Sequence, residues 1–221
     1  MPEKETSLYR PVRDFLQHLG YQVRGEVQAC DLVAVRGDKL LIVELKLRFN
    51  LELILQAVER QKHSGNVYLA IPRPKKQDRR WAQIKRLCAR LGLGLLTVHG
   101  QAVEVILEAD WHDSRGRGRS QLLREFRERS GDYNLGGASR RPVVTAYRED
   151  ALRIAAKLSH QPKQVRDIVR ETGVERAGRI LWDNHYAWFE RVKRGVYRLS
   201  ESGRQALIDY DDVVTAHRQA K

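Results

Sequence analysis

The alternation of apolar and polar positions divides the chain into two regions of regular structure, 1–109 and 143–221, joined by a polar segment rich in arginine. In the first region, apolar residues recur at helical spacing in three segments and form short β-branched runs in six others. The predicted order is helix, three strands, helix, strand, helix and two strands. This order is typical of an α/β domain with a mixed sheet.

Capping and turn residues predict where these elements begin and end. Thr6 or Ser7 is predicted to cap the first helix and Gly20 to end it, and Asn50 is predicted to cap the second helix. The predicted elements are helices 6–19, 51–63 and 80–90, and strands 21–27, 31–36, 39–46, 67–71, 95–98 and 103–107. The buried stripe of the second helix is expected to be Leu51, Ile54, Leu55 and Val58.

Residues 31–46 carry the pattern on which the functional prediction depends. Two apolar runs flank Gly37-Asp38, and glycine at the first position of a two-residue loop predicts a type II′ hairpin. In that register Arg36 faces Lys39, and each step back along one strand matches a step forward on the other. Asp31 is therefore expected directly opposite Glu44, on the same face of the sheet.

This pairing of two acids predicts a metal site. Carboxylates held so close repel each other, and a divalent cation between them removes the repulsion. Hard oxygen ligands favour Mg²⁺ or Mn²⁺. Lys46 shares the face of Glu44 and is suited to orient water or to stabilise charge on phosphorus. The alternative is a surface hairpin with scattered charges, but Glu44 interrupts an otherwise apolar strand.

Four other residues of the first region are candidates for the same site. Glu5, at the start of the first helix, is either a site residue or an acid favoured by the helix dipole. Gln56, on the helix after the Glu-x-Lys strand, either leans over the site or is simply solvated. Lys75 and Lys76 follow the apolar strand 67–71, where they form a solvated loop or hold a phosphate.

The rest of the chain predicts a linker and a second domain. Residues 110–142 read as a basic linker with a short amphipathic piece, which either touches a nucleic-acid backbone or is a plain tether. In 143–221, three helical segments precede two strands around Lys193 and Arg194, the order of a winged helix-turn-helix. Arg176 and Arg179 then lie on the recognition helix. The alternative is a dimerisation or protein-contact module.

Composition and charge favour an anionic partner. The chain of 221 residues carries a net charge of +13, with 18 basic and 12 acidic residues in 1–109 and 23 and 16 in 110–221. Because both halves are basic, nucleic acid is the simplest partner.

Two distant cysteines suit a reduced, cytoplasmic protein and exclude a cysteine-rich zinc site. A signal peptide and an apolar run of membrane-spanning length are both missing, so no membrane association is expected.

Several motifs also resemble a known superfamily. Asp31, Glu44-Leu-Lys46 and a following helix with Gln56 resemble the PD-(D/E)xK phosphodiesterases, and the order of elements over 4–98 resembles their restriction-endonuclease-like αβββαβ core. The segments VELKLRFN (43–50), RPVVTAY (141–147) and WFERVKRGVY (188–197) resemble a bacterial family of nucleases of this type. The resemblance spans nearly the whole chain.

The resemblance implies specific roles. Asp31 and Glu44 would hold Mg²⁺ and Lys46 would position the attacking water, while Glu5 and Gln56 would correspond to further polar residues of the superfamily. Cys30 stands where the superfamily name has proline. The expected function is a Mg²⁺-dependent endonuclease acting on DNA, most of all double-stranded DNA, which the winged helix docks. The alternatives are a non-catalytic DNA-binding regulator and an RNA nuclease, and a homodimer stays open.

Overall fold

The computed structural model describes residues 5–110, 117–134 and 142–219. The chain divides into two units, Met1–Val143 and Val144–Lys221, so the division falls at the C-terminal end of the predicted linker. Among the described residues, no helix is both long enough and apolar enough to cross a bilayer.

The first unit has the predicted order of elements, followed by one more helix. Its elements are α1 Thr6–His18, β1 Gln22–Val27, β2 Cys30–Arg36, β3 Lys39–Leu45, α2 Leu51–Arg60, β4 Val67–Pro72, α3 Arg79–Arg90, β5 Gly94–His99, β6 Ala102–Leu107 and α4 Arg117–Glu128. The six strands form one sheet in chain order. Strands β3, β4 and β5 are parallel and the other neighbours are antiparallel. The predicted mixed α/β fold is therefore confirmed, and its order is consistent with a PD-(D/E)xK-like core.

The sheet is buried on both faces at its centre. Parallel neighbours need a crossover, and α2 and α3 supply these between β3, β4 and β5. Along β3, Leu41, Val43 and Leu45 pack in the cluster that contains α1, whereas Leu40 and Ile42 pack in the cluster that contains α2 and α3. A strand covered on both faces reads as a continuous apolar run, which is why an acid near its end is informative.

The orientation of α2 differs from the prediction. Its buried apolar residues are Leu53, Ile54 and Ala57. Three residues of the predicted stripe are exposed instead, with exposed fractions of 71% for Leu51, 60% for Leu55 and 42% for Val58. The helix carries two overlapping apolar stripes, and its polar contacts with the end of β3 decide which of them faces the sheet.

Two predicted caps had different outcomes. Asn50 caps α2 as predicted, because its side chain accepts a hydrogen bond from the backbone N–H of Leu53. The residue before α1 is Glu5, which makes no capping hydrogen bond, so the prediction of Thr6 or Ser7 as the cap is wrong.

The described part of the predicted linker packs into the first unit. Leu122 and Phe126 of α4 are buried in the same cluster as α2 and α3. Arg129, just after the helix, is 2% exposed and donates hydrogen bonds to the carbonyl oxygens of Gly25 and Glu26 on β1. The segment 117–134 therefore covers the edge strand β1, which would otherwise present unpaired backbone groups.

Gly25 makes this close packing possible. A Cβ atom at this position would lie 2.3 Å from the carbonyl oxygen of Asn134 and 2.8 Å from the hydroxyl of Tyr9. Asp132 accepts hydrogen bonds from the backbone N–H of Gly25 and from the Tyr9 hydroxyl. The segment after α4 is thus held against both β1 and α1.

The second unit consists of five helices and a small sheet within its described residues. Its elements are α5 Ala146–Lys157, β7 Lys163–Gln164, α6 Val165–Thr172, α7 Ala177–Asp183, β8 Phe189–Lys193, β9 Val196–Leu199, α8 Glu201–Asp209 and α9 Asp211–Gln219. The strands are antiparallel in the order β7-β9-β8. Lys163 and Gln164, directly after Pro162, pair with β9 as β7. Gly173 ends α6 with φ of 70°, a backbone conformation that glycine adopts readily.

Candidate active site

The hairpin of β2 and β3 has the predicted register. Arg36 pairs with Lys39 across the turn, and Leu32 pairs with Val43 four steps further along. Gly37 has φ of 59°, the left-handed conformation that the first position of a type II′ turn requires. The next opposed positions beyond Leu32 and Val43 are those of the two acids.

Asp31 and Glu44 lie in hydrogen-bond contact. Glu44 is 1% exposed, and its carboxyl lies within hydrogen-bond reach of the Asp31 carboxyl, so the two groups can share a proton. Asp31 Oδ2 also accepts from the backbone N–H of Leu45 at 2.8 Å. Burial and the neighbouring Asp31 charge raise the pKa of Glu44 to about 8, and burial likewise raises the pKa of Asp31. A pair of this kind takes up either a proton or a cation.

Arg60, from the last turn of α2, is the cation closest to Glu44. Its Nε donates to Glu44 Oε1 at 2.7 Å, and its terminal nitrogen donates to the carbonyl oxygen of Ala29 at 2.6 Å. The Arg60 side chain is 15% exposed. Arg60 is not among the site residues that the sequence predicts. Only its spacing of four residues from Gln56 could have indicated that it faces the site.

The turn that holds Arg60 is strained. Gln28 and Ala29 join β1 to β2 with φ of 48° and 63°, although neither is glycine. Such a conformation costs on the order of 1 kcal/mol or more per residue and is often found at functional sites. Here it directs the Ala29 carbonyl towards the guanidinium that contacts Glu44.

Lys46 is bound between two other acids. Its Nζ lies 3.4 Å from Glu5 Oε1 and 3.4 Å from Glu52 Oε2. Burial lowers the pKa of Lys46, but Glu5 and Glu52 outweigh this effect, so its pKa is raised above the ordinary value. Lys46 is therefore an ammonium ion and not a proton acceptor. Glu5 is connected to the site by its ion pair with Lys46.

Gln56 faces the same end of the sheet with its amide unengaged. It lies four residues after Glu52 and four before Arg60, so all three side chains share one face of α2. Glu52 contacts Lys46 and Arg60 contacts Glu44. Within the described part of the chain, the Gln56 side chain makes no hydrogen bond.

The residues present fit a magnesium ion held by two carboxylates. Among residues 5–110, 117–134 and 142–219, no group of three His, Cys, Asp or Glu side chains could hold a metal. Mg²⁺ usually keeps several waters and is bound by one or two carboxylates together with substrate phosphates. Asp31 and Glu44 supply hard oxygens, are mutually repulsive when ionised, and would be the residues that hold such an ion.

Lys75 and Lys76 lie near this edge of the sheet. Both are exposed in the segment that follows β4. Strand β4 is parallel to β3, and the backbone N–H of Lys46 donates to the carbonyl oxygen of Ala70. The carboxyl ends of the two strands therefore meet at one edge, where both lysines remain available to a polyanion.

The predicted basic residues of the second unit differ in their availability. Arg176 precedes α7, and its Nε donates to Asp150 at 2.8 Å. Arg179, on α7, is 83% exposed and contacts Asp183 at 3.3 Å. The Arg176 side chain is therefore held more closely by contacts within the unit than the Arg179 side chain is.

The turn between β8 and β9 carries two exposed cations. Lys193 ends β8, Arg194 follows it, and Gly195 has φ of 73°. In the described residues, neither Lys193 nor Arg194 forms an ion pair. The positive charge at this turn is consequently directed to solvent.

The fold and the site together define a class of protein. A mixed sheet in which Asp31, Glu44 and Lys46 meet at one end is consistent with the core of PD-(D/E)xK phosphodiesterases. Residues 95–206, more than half of the chain, match the family described as "Putative PD-(D/E)XK phosphodiesterase (DUF2161)". The chain belongs to this family, which confirms the resemblance. No curated protein and no solved structure matches the chain significantly.

The matched segment begins in β5 and so excludes the three residues of the hairpin site. The family match over residues 95–206 therefore supports a nuclease-like, hydrolytic function without involving these three residues. The geometry of Asp31, Glu44 and Lys46 supports it independently from another part.

Proposed function

We propose that the protein is a Mg²⁺-dependent phosphodiesterase that cleaves DNA, with its active site at Asp31, Glu44 and Lys46. The observation that carries this proposal is the contact between the buried Glu44 carboxyl and the half-buried Asp31 carboxyl, with an ammonium group two residues after Glu44. A purely structural role gains nothing from two adjacent acids withdrawn from water, because burial and mutual repulsion destabilise their ionised forms. A family of PD-(D/E)XK phosphodiesterases provides the chemical context.

Each residue of the site has a distinct task in this proposal. Asp31 and Glu44 would hold a divalent ion in their ionised forms, and Arg60 fixes the orientation of one Glu44 oxygen. Such an ion would polarise the scissile phosphate and lower the pKa of a water molecule. The Lys46 ammonium offsets the negative charge that develops on phosphorus. Gln56 has a free amide that can donate to a phosphate oxygen or to water.

The second unit is the proposed DNA-docking module. Its order α5-β7-α6-α7-β8-β9 supports a winged helix, in which α6 and α7 would form the helix-turn-helix and β8-β9 the wing. The exposed Lys193 and Arg194 at the turn, together with the net charge of +13, favour a polyanionic partner. Arg179 is the exposed cation of α7 and would contact the backbone there.

One observation favours a second candidate, a non-catalytic DNA-binding regulator. Every charged group of the site already has a partner within the protein, since Arg60 contacts Glu44 and Lys46 contacts both Glu5 and Glu52. Ion pairs of this kind also occur in clusters that only stabilise a fold.

Cleavage of DNA by matched variants separates the two functions. Supercoiled plasmid and linear duplex are incubated with the protein in Mg²⁺, in Mn²⁺ and in EDTA. Asp31→Asn and Lys46→Ala should abolish metal-dependent cleavage while DNA affinity stays within about twofold. Asp38→Asn, at the exposed turn of the same hairpin, is the control and should cleave normally.

Calorimetric titration with Mn²⁺ provides a readout that does not depend on turnover. The unaltered protein should bind Mn²⁺, and Asp31→Asn should not. If Asp31→Asn cleaves DNA as fast as the unaltered protein, the proposed site is wrong. If the unaltered protein binds DNA without cleaving any substrate in either metal, the regulator is favoured.

A further inference from the structure

A tryptophan on the second unit is exposed to solvent. Trp182, in the last turn of α7, is 70% exposed, whereas Trp81 and Trp188 are 5% and 7% exposed. Burying an aromatic side chain contributes more than burying almost any other residue, so an indole left in water is an available binding surface.

The exposed indole lies among arginines. The guanidinium of Arg191, on β8, lies over the indole ring at 5.8 Å from the ring centre. Arg179 precedes Trp182 by three residues on α7 and therefore shares its face of the helix. Among the described residues, Arg191 forms no ion pair. Lys193 extends the positive charge along β8. We call Arg179, Trp182 and Arg191 the indole surface.

The charge of this surface discriminates between possible partners. A second copy of the chain that docked through the same face would bring the Arg179 and Arg191 of both copies into one interface, and like charges oppose such a contact. A nucleic acid matches both the positive charge and the exposed indole, because its phosphates pair with arginine and its bases stack on aromatic rings. A base in a continuous duplex has no free face, so stacking on a side chain requires an unpaired base.

We propose that Trp182 is a stacking platform for an unpaired base, and that Arg179 and Arg191 contact the phosphates beside it. This inference rests on the proposed function only in taking DNA as the partner. It narrows the substrate class to DNA that contains unpaired bases, such as a single strand, a bubble or a branched junction. A plain duplex would still bind through Arg179, Lys193 and Arg194 but would leave the indole exposed.

Binding measured in EDTA tests this inference without cleavage. Two end-labelled duplexes of equal length and charge are compared by fluorescence anisotropy, one fully paired and one with a central unpaired bubble. The unaltered protein should prefer the bubble. Trp182→Ala should weaken binding of the bubble on the order of tenfold, because the stacking of one base is lost, and should leave binding of the paired duplex unchanged.

Ile208→Ala provides the matched control. Ile208 is also 70% exposed and lies on α8 of the same unit. This variant should bind both duplexes as the unaltered protein does. Because both side chains are mostly in solvent, the melting temperatures of the two variants should match that of the unaltered protein.

Tryptophan fluorescence gives a second, local readout. Bubble DNA should quench emission in the unaltered protein, and Trp182→Phe should remove most of that quenching. Equal affinity of the unaltered protein for the two duplexes would overturn the inference, as would an equal loss of both affinities in Trp182→Ala. A lack of Mg²⁺-dependent cleavage would count against the active site but would leave this result intact, since binding is measured without metal.

Discussion

Replacing Glu44 with glutamine should make the protein more stable and inactive. The raised pKa of Glu44 favours a protonated carboxyl that shares its proton with Asp31, and Glu44 Oε1 accepts a hydrogen bond from Arg60. The glutamine amide can make both of these hydrogen bonds without a charge. Glu44→Gln therefore keeps the contacts of the pair and removes the cost of ionisation.

The magnitude of this effect follows from the raised pKa. The Glu44 pKa is 4.5 as an ordinary glutamate and about 8 in the fold. Between these values the folded carboxyl keeps its proton while the unfolded one loses it, so the free energy of unfolding falls as pH rises. Above the folded pKa the loss is complete, and the difference between the two pKa values corresponds to about 5 kcal/mol. Below pH 4.5 both states are protonated and there is no loss.

Urea unfolding at pH 5.5 and pH 8.5, in EDTA and followed by circular dichroism, measures this difference. The free energy of unfolding of Glu44→Gln should exceed that of the unaltered protein by about 4–5 kcal/mol at pH 8.5 and by less than half of that at pH 5.5. The transition of the second unit should not shift. The reasoning fails if the variant is less stable at pH 8.5, or if the difference is the same at both pH values. The control Asp38→Asn should show no such dependence.

Three further changes test other parts of the structure. Ala29→Gly should raise the free energy of unfolding by about 1 kcal/mol in urea, because glycine adopts positive φ without strain. Gly25→Ala should lower the melting temperature of the first unit through a loss of about 1–3 kcal/mol, since a Cβ would lie 2.3 Å from the carbonyl oxygen of Asn134. Lys193→Ala should weaken binding of all DNA sequences alike and reduce the slope of log affinity against log salt by about 1, measured by anisotropy over a series of KCl concentrations.

The hairpin could be predicted because its determinants are local. Gly37 and the length of the loop set the register, and the register alone places Asp31 opposite Glu44. The continuous apolar run before Glu44 also predicts that both faces of β3 are covered. Information of this kind lies within sixteen consecutive residues and needs no knowledge of the rest of the fold.

The face of α2 could not be predicted, because it depends on contacts with residues distant in sequence. Its apolar side chains fit two overlapping stripes, and periodicity does not distinguish them. Contacts of Glu52 with Lys46 and of Arg60 with Glu44 orient the helix. The contact of Arg60 with Glu44 could not be predicted for the same reason. Its second partner is a backbone carbonyl on the turn before β2, which is also distant in sequence.

The packing of α4 shows a similar dependence on tertiary contacts. Leu122 and Phe126 lie within a segment dominated by arginine, so composition indicated a linker. Both residues nevertheless enter the core of the first unit. The burial of Arg129 is explained by the carbonyl oxygens of β1 that it satisfies, and such partners are invisible in the order of residues.

The charge balance of the site bears directly on whether it acts as an enzyme. Its contacts join four acids to two bases: Glu5, Asp31, Glu44 and Glu52, with Lys46 and Arg60. With all of them ionised the cluster carries two excess negative charges, and one shared proton removes only one of these. A divalent cation would neutralise both, and would do so at the pair whose pKa burial raises most. A cluster with a purely structural role has no need of excess negative charge. The imbalance therefore favours the metal-dependent phosphodiesterase over the regulator.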